Sequence, residues 1–104
     1  MITHPSNVVL SIYVANWADQ APTRLAWMID SLARHNAADW GDLDPDDQVA
    51  NRCNLRHQEG RLLSCYPVPF TLLEEGDTDD AVWIITDDLA DPDTTTTILW
   101  PSDY

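Results

Sequence analysis

Residues Ala81 to Thr86 read Ala-Val-Trp-Ile-Ile-Thr, an apolar run with a cluster of carboxylates on each side. This run limits the folds open to the chain more than any other feature. Six residues are too few for a stable helix, and successive apolar positions suit a strand covered on both faces. Side chains alternate along a strand, so Val82 and Ile84 are expected on one face and Trp83 and Ile85 on the other. The acidic turns Glu74–Asp80 and Asp87–Asp93 bound this strand and demand strand neighbours close in sequence. Arg61–Tyr66 reads as one, ended by Pro67 and Pro69, with Phe70–Leu73 continuing after a bend. Thr95–Trp100 reads as the other, ended by Pro101.

Upstream the pattern changes. Val8–Val14 is β-branched and apolar, with Leu10, Ile12 and Val14 alternating, and reads as a strand. Pro22 suits a first helical turn, and Leu25, Met28, Ile29 and Leu32 follow at helical spacing, giving a helix over about 23–36 that Gly41 closes off. A second helix starts at Asp44 as N-cap, with Pro45 at its first position and Asp46 and Asp47 against its N-terminus. Val49, Cys53 and then Arg56 or His57 mark its expected inner stripe, and Gly60 its stop. The expected fold class is α+β: two helices packed on one face of a small antiparallel sheet, in the order β-α-α-β-β-β. Residues 1–104 form one domain, with residues 1–7 expected to be flexible.

Charge bounds the partners. Eighteen carboxylates face five arginines and no lysine, for a net charge of −13. All five arginines lie at or before Arg61, while Leu62–Tyr104 holds ten carboxylates and no basic side chain. Such a chain repels phosphate, so direct nucleic-acid binding and docking on an anionic membrane are excluded as expectations. Acid excess also keeps a protein soluble, and it suits a GC-rich genome or a salt-loving host, so charge alone does not assign a role. No apolar run reaches the roughly 18–20 residues of a membrane span. The opening Met1-Ile2-Thr3-His4-Pro5 lacks the pattern of a secretory signal, so a cytoplasmic location is expected.

No cofactor or metal is expected. Asp42, Asp44 and Asp46 alternate as in the opening of a calcium loop, but the sixth position is Asp47 rather than Gly and the twelfth is Cys53 rather than Glu. A helix corner with Trp40 buried, Gly41 in the turn and Asp44 capping explains the segment better. His35, Cys53, His57 and Cys65 have no paired zinc spacing, and two free thiols are the expected state. Ser64 with His35 or His57 as base lacks a nucleophile elbow, and three glycines do not build a phosphate-cradling loop, so no catalytic residues are expected. Among the five tryptophans, Trp27 and Trp83 sit in apolar periodic segments, whereas Trp17 falls between strand and helix as the candidate exposed anchor.

Several segments resemble a family of small proteins of plasmids and other mobile elements described as "plasmid-related protein", some members of which carry a type I restriction subunit M label. The resembling residues are Asp39-Trp40-Gly41-Asp42-Leu43, Asp47, Asn51, Arg61-Leu62-Leu63-Ser64, Tyr66, Trp83-Ile84-Ile85-Thr86, Thr96-Thr97-Ile98-Leu99, Pro101 and Tyr104. They cover about the last two-thirds of the chain. Three features depart from the family pattern: Ala38 stands where it usually has Gly, the turn after Thr86 holds carboxylates where it often has an arginine, and the segment Pro67–Asp80 is longer than usual. The resemblance implies a mobile-element setting and a shared fold, but no particular reaction.

Together these readings give an acidic, non-catalytic binding protein, with a host protein or protein–nucleic acid complex of basic surface as its partner. A DNA mimic acting against a defence complex (CRISPR or restriction) is the first form of that expectation. A regulatory or structural interaction module, such as a toxin–antitoxin or plasmid-maintenance partner, is the alternative. The candidate partner-binding residues are Glu74, Glu75, Asp77, Asp79 and Asp80 in one turn and Asp87, Asp88, Asp91 and Asp93 in the other, with Trp17 as anchor.

Overall fold

The structure is a computed structural model that describes residues 7–77 and 79–104. The chain runs β1 (Asn7–Leu10), α1 (Ile12–Asp19), α2 (Pro22–Asn36), α3 (Pro45–His57), β2 (Leu62–Pro67), a 3₁₀ turn (Phe70–Leu72), β3 (Ala81–Thr86), β4 (Thr95–Leu99) and a last 3₁₀ turn (Pro101–Asp103). It is an α+β fold on a four-stranded sheet in the order β1-β4-β3-β2. β3 is central and pairs antiparallel with β2 and β4, placing Ser64, Ile84 and Ile98 side by side. Val82 and Ile84 are fully buried beneath the helices, with Val14, Trp17, Met28, Tyr66, Ile98 and Trp100 completing the core.

Two expectations about the architecture are corrected. The sheet is mixed, because β1 lies parallel to β4. There are three helices among the described residues, because the first strand stops at Leu10. Ser11 is the cause. Its backbone is extended and its Oγ accepts from the Val14 N–H at 3.2 Å, making it the N-cap of α1. The same hydroxyl donates to Asp103 Oδ2 at 2.6 Å, which ties the start of α1 to the end of the chain. Ile12 and Val14, expected to alternate along one strand with Leu10, part company on α1: Ile12 is 68% exposed, while Val14 is fully buried. The flexible segment expected over residues 1–7 lies outside the described residues as far as Ser6, and Asn7 is paired with Thr95.

The helix ends also differ from expectation. At the end of α2 Asp39 N–H bonds to Arg34 O at 2.9 Å and Ala38 N–H to His35 O at 3.2 Å. This is a Schellman motif, and Ala38 holds its left-handed position at φ 63°. Glycine is the residue that takes this conformation without strain. Gln58, not Gly60, does the same for α3 at φ 53°. Gly41 has a different task. At φ 71° it lies in a parallel bridge to Cys65, so close that a Cβ would sit 2.2 Å from Cys65 O.

α3 does not use the expected stripe, since Val49, Cys53, Arg56 and His57 are all exposed. The helix docks through Asn51, whose amide donates to Leu63 O at 2.7 Å and accepts from Leu63 N–H at 3.1 Å. A side-chain amide thus pairs with the outer edge of β2 as a strand would. The neighbouring Cys65 N–H bonds to Trp40 O, and Cys65 O accepts from Asp42 N–H. That edge of the sheet is closed to further pairing.

Candidate partner-binding surface

Both acidic turns are at the surface, at the two ends of β3. A six-residue strand separates them by about 20 Å at roughly 3.3 Å per residue. Within each turn the carboxylates divide into two kinds. Asp88 Oδ1 accepts from Gly60 N–H and Ala90 N–H at 3.0 Å each, Asp91 Oδ1 accepts from Asp93 N–H at 2.8 Å, and Asp77 Oδ2 accepts from Glu74 N–H at 2.7 Å. These side chains shape the backbone of their turns. Asp79 accepts a hydrogen bond from Ser102 Oγ. Glu75, Asp80, Asp87 and Asp93 make no side-chain hydrogen bond or ion pair with the described residues and project only charge. Glu74 is the exception in charge, forming a 3.0 Å ion pair with Arg24.

Trp17 is not an exposed anchor. It lies on α1, 6% exposed, with its ring edge-on to Trp100 at 5.2 Å and to Trp27 at 6.2 Å. The Arg24 guanidinium stacks over it at 4.8 Å and also donates to Trp17 O, Gln20 Oε1 and Leu72 O. The helix begun by Ser11 turns Trp17 inward, where a loop would have left it outside. Trp27, expected in the core, is half-buried against it, and Trp83 is half-buried with Tyr104 edge-on at 5.7 Å.

The three-dimensional arrangement adds a feature the sequence reading missed. A cleft of about 480 Å³ opens between α1, the 74–79 turn and the last 3₁₀ turn. Tyr13, Trp17 and Trp100 supply aromatic wall, and Glu74, Asp77, Asp79 and Asp103 supply carboxylates. Tyr13 and Asp103 are 90 residues apart, and the Ser11–Asp103 hydrogen bond brings their segments together. No local pattern could have signalled it. Chemically, aromatic faces ringed by carboxylates suit an ammonium or guanidinium group.

The strongest catalytic candidate is a structural network. His35 is fully buried, with Nδ1 2.6 Å from Ser64 Oγ and Nε2 2.9 Å from Thr86 Oγ1, and Thr86 in turn bonds Thr96 at 2.8 Å. Both ring nitrogens are satisfied, and burial pushes the His35 pKa down to about 4. Ser64 and Thr86 are themselves fully buried, so this Ser–His pair has no route to a substrate. His57 lies on the exposed face of α3. Cys53 is exposed and Cys65 half-buried, both as free thiols, and burial raises the Cys65 pKa. Among the described residues no three His, Cys, Asp or Glu side chains gather as a metal site, and no helix is long and apolar enough to cross a membrane.

The remaining arginines form no ion pair with the carboxylates of the acidic turns among the described residues. Arg34 pairs with Asp39 at 2.8 Å and lies over the Tyr66 ring, and this pairing holds the Asp39 carboxyl below its usual range. Arg61 donates to the Tyr104 hydroxyl at 3.0 Å, and Arg52 and Arg56 are exposed on α3. Comparison with family models, with curated proteins and with solved structures returns no match for this chain.

Proposed function

We propose that this chain is a non-catalytic acidic binding protein that occupies a basic, nucleic-acid-binding surface on a protein partner. The observation that carries the reading is the division of labour among the carboxylates. Asp77, Asp88 and Asp91 build their turns, and the turns then present Glu75, Asp80, Asp87 and Asp93 without compensating cations among the described residues. Duplex DNA carries a charge about every 1.7 Å of axis, so two acidic clusters about 20 Å apart engage two basic patches along one groove. The aromatic and acidic cleft beside the first turn suits a lysine or arginine of the partner. The resemblance to proteins of mobile elements supports a setting in which the partner belongs to a host defence complex, with the chain standing in for its DNA. Association of this kind is fast and weakens as salt shortens the screening length.

The test separates charge from fold. Glu75, Asp80, Asp87 and Asp93 are changed together to Gln or Asn, which removes four charges and leaves the turn-building carboxylates in place. Wild-type and neutralised chains are immobilised and exposed to lysate of the natural host, with and without excess duplex DNA. The reading expects a partner retained by the wild type, displaced by duplex DNA and lost with the neutralised chain at unchanged thermal stability. Retention that ignores both the substitutions and the DNA refutes it.

A further inference from the structure

Trp17 brings an unpaired donor to the wall of the cleft. The residue is 6% exposed, and its indole N–H is buried with no hydrogen-bond acceptor among the described residues. A buried N–H without an acceptor carries a desolvation cost that an incoming acceptor removes. The cleft's own carboxylates do not serve it, because each is fixed elsewhere through one oxygen. Glu74 Oε1 pairs with Arg24 at 3.0 Å, Asp77 Oδ2 accepts from Glu74 N–H at 2.7 Å, and Asp79 Oδ2 accepts from Ser102 Oγ. Asp103 Oδ2 accepts from Ser11 Oγ at 2.6 Å and from Trp100 N–H at 3.1 Å. The second oxygen of each carboxylate meets no donor among the described residues. The wall therefore offers acceptors to a cation and one donor to an acceptor.

Two residues of this wall already hold a guanidinium. Arg24 lies 4.8 Å from the Trp17 ring centroid and pairs with Glu74, and at 5% exposure it is a fixed part of the fold. Its single charge leaves three of the four cleft carboxylates uncompensated among the described residues. Tyr13, 66% exposed on α1, supplies a further ring beside them. A planar guanidinium stacks on such a ring while forking onto carboxylate oxygens, and it sheds water more readily than an ammonium does. The cleft, at about 480 Å³, is of a size that holds a whole residue rather than an ion alone.

We propose that the cleft receives one arginine of the partner's chain, lying lengthwise. Its guanidinium packs on Tyr13 and engages the free oxygens of Asp77, Asp79 and Asp103, and its main-chain carbonyl accepts from the Trp17 indole N–H. The proposal rests on the reading of this chain as a binder of a basic protein surface, and it names the residue of that surface that is recognised. A diamine or polyamine is a poorer occupant despite its charge, because it carries donors alone and leaves the Trp17 N–H unpaired. A lysine is poorer because its compact, strongly hydrated ammonium neither stacks on a ring nor forks onto two oxygens.

The probe is arginine blocked at both ends, N-acetyl-arginine N-methylamide, titrated to about 20 mM into the full chain while the indole N–H resonances are followed by NMR. Saturation is expected on the order of 1 mM, with the Trp17 indole proton moving downfield as it gains an acceptor. Agmatine, which keeps the guanidinium but has no carbonyl, should bind without that downfield shift. Blocked lysine should bind roughly threefold more weakly. Tyr13→Ala should weaken the blocked arginine roughly threefold and Asp79→Asn roughly fivefold, with the circular dichroism spectrum unchanged. The absence of a saturable shift in that range overturns the proposal. So does agmatine moving the Trp17 resonance as blocked arginine does, blocked lysine binding equally well, or a site indifferent to both substitutions. None of the four residues neutralised in the lysate test lines the cleft, so the two readings fail separately. A chain that takes blocked arginine but retains no DNA-displaceable partner refutes the wider reading and leaves the cleft an arginine site. A chain that retains such a partner but takes no blocked arginine refutes the cleft assignment alone.

Discussion

Replacing His35 by glutamine should flatten the dependence of stability on pH. His35 is fully buried between Ser64 and Thr86, and its pKa falls to about 4 from the ordinary 6.5 because burial disfavours the imidazolium. Folded chains therefore keep the ring neutral down to about pH 4, while unfolded chains protonate it near pH 6.5. Between those values the unfolded state binds more protons, so stability present above pH 6.5 is lost as pH falls. Linkage over this window gives a loss of about 2 kcal/mol by pH 5 and about 3 kcal/mol by pH 4, a large fraction of the roughly 5–15 kcal/mol of a small domain. Asp39, held low by Arg34, shifts stability in the same direction but is common to both proteins and drops out of the difference. Urea denaturation of wild type and His35→Gln at pH 7, 6, 5 and 4.5 measures it. The variant starts less stable at pH 7, since one amide does not reproduce both hydrogen bonds, and then loses about 2 kcal/mol less than wild type by pH 5. Parallel pH profiles for the two proteins would refute burial as the state of His35.

Three further outcomes follow from the same structure. Ala38→Gly relieves a left-handed residue in the Schellman turn and, after the entropy that glycine adds to the unfolded chain, should stabilise by roughly 0.5–1 kcal/mol in thermal melts. Asn51→Ala strips the two bonds that seal Leu63 at the β2 edge and should cost about 2–3 kcal/mol in chemical denaturation. Ile84→Asp puts an unpaired charge at a fully buried central position, which costs several kcal/mol, and should abolish cooperative melting.

Much of the sheet was legible in the sequence because the information there is local. The unbroken apolar run Val82–Ile85 identifies a central strand, its acidic neighbours identify turns, and Pro67 and Pro101 mark the limits of strand pairing. The start of α3 was legible for the same reason: Pro45 at the first helical position and Asp46 and Asp47 in the first turn suit a helix N-terminus wherever they occur, although Asp44, the N-cap residue, makes no side-chain capping hydrogen bond. Its buried side was not, because Asn51 does not look like a core residue in sequence. It becomes one only when a bare strand edge lies opposite.

The first twenty residues show the limit most clearly. Val8–Val14 has a strand pattern by alternation alone, and Ser11 is as acceptable in a strand as at a helix N-cap. The choice belongs to the tertiary structure, where the Ser11 hydroxyl meets both the Val14 N–H and the Asp103 carboxylate. That choice buries Trp17, opens the acidic cleft and leaves β1 a four-residue edge beside β4. The sequence by itself determined the sign and amount of charge, the location of the acidic turns and the central strand, since each depends on residues close along the chain. Which carboxylates stay free, which tryptophan is hidden and how the β2 edge is sealed were decided only by tertiary structure, because each depends on groups up to 92 positions apart competing for the same hydrogen bonds and the same buried space.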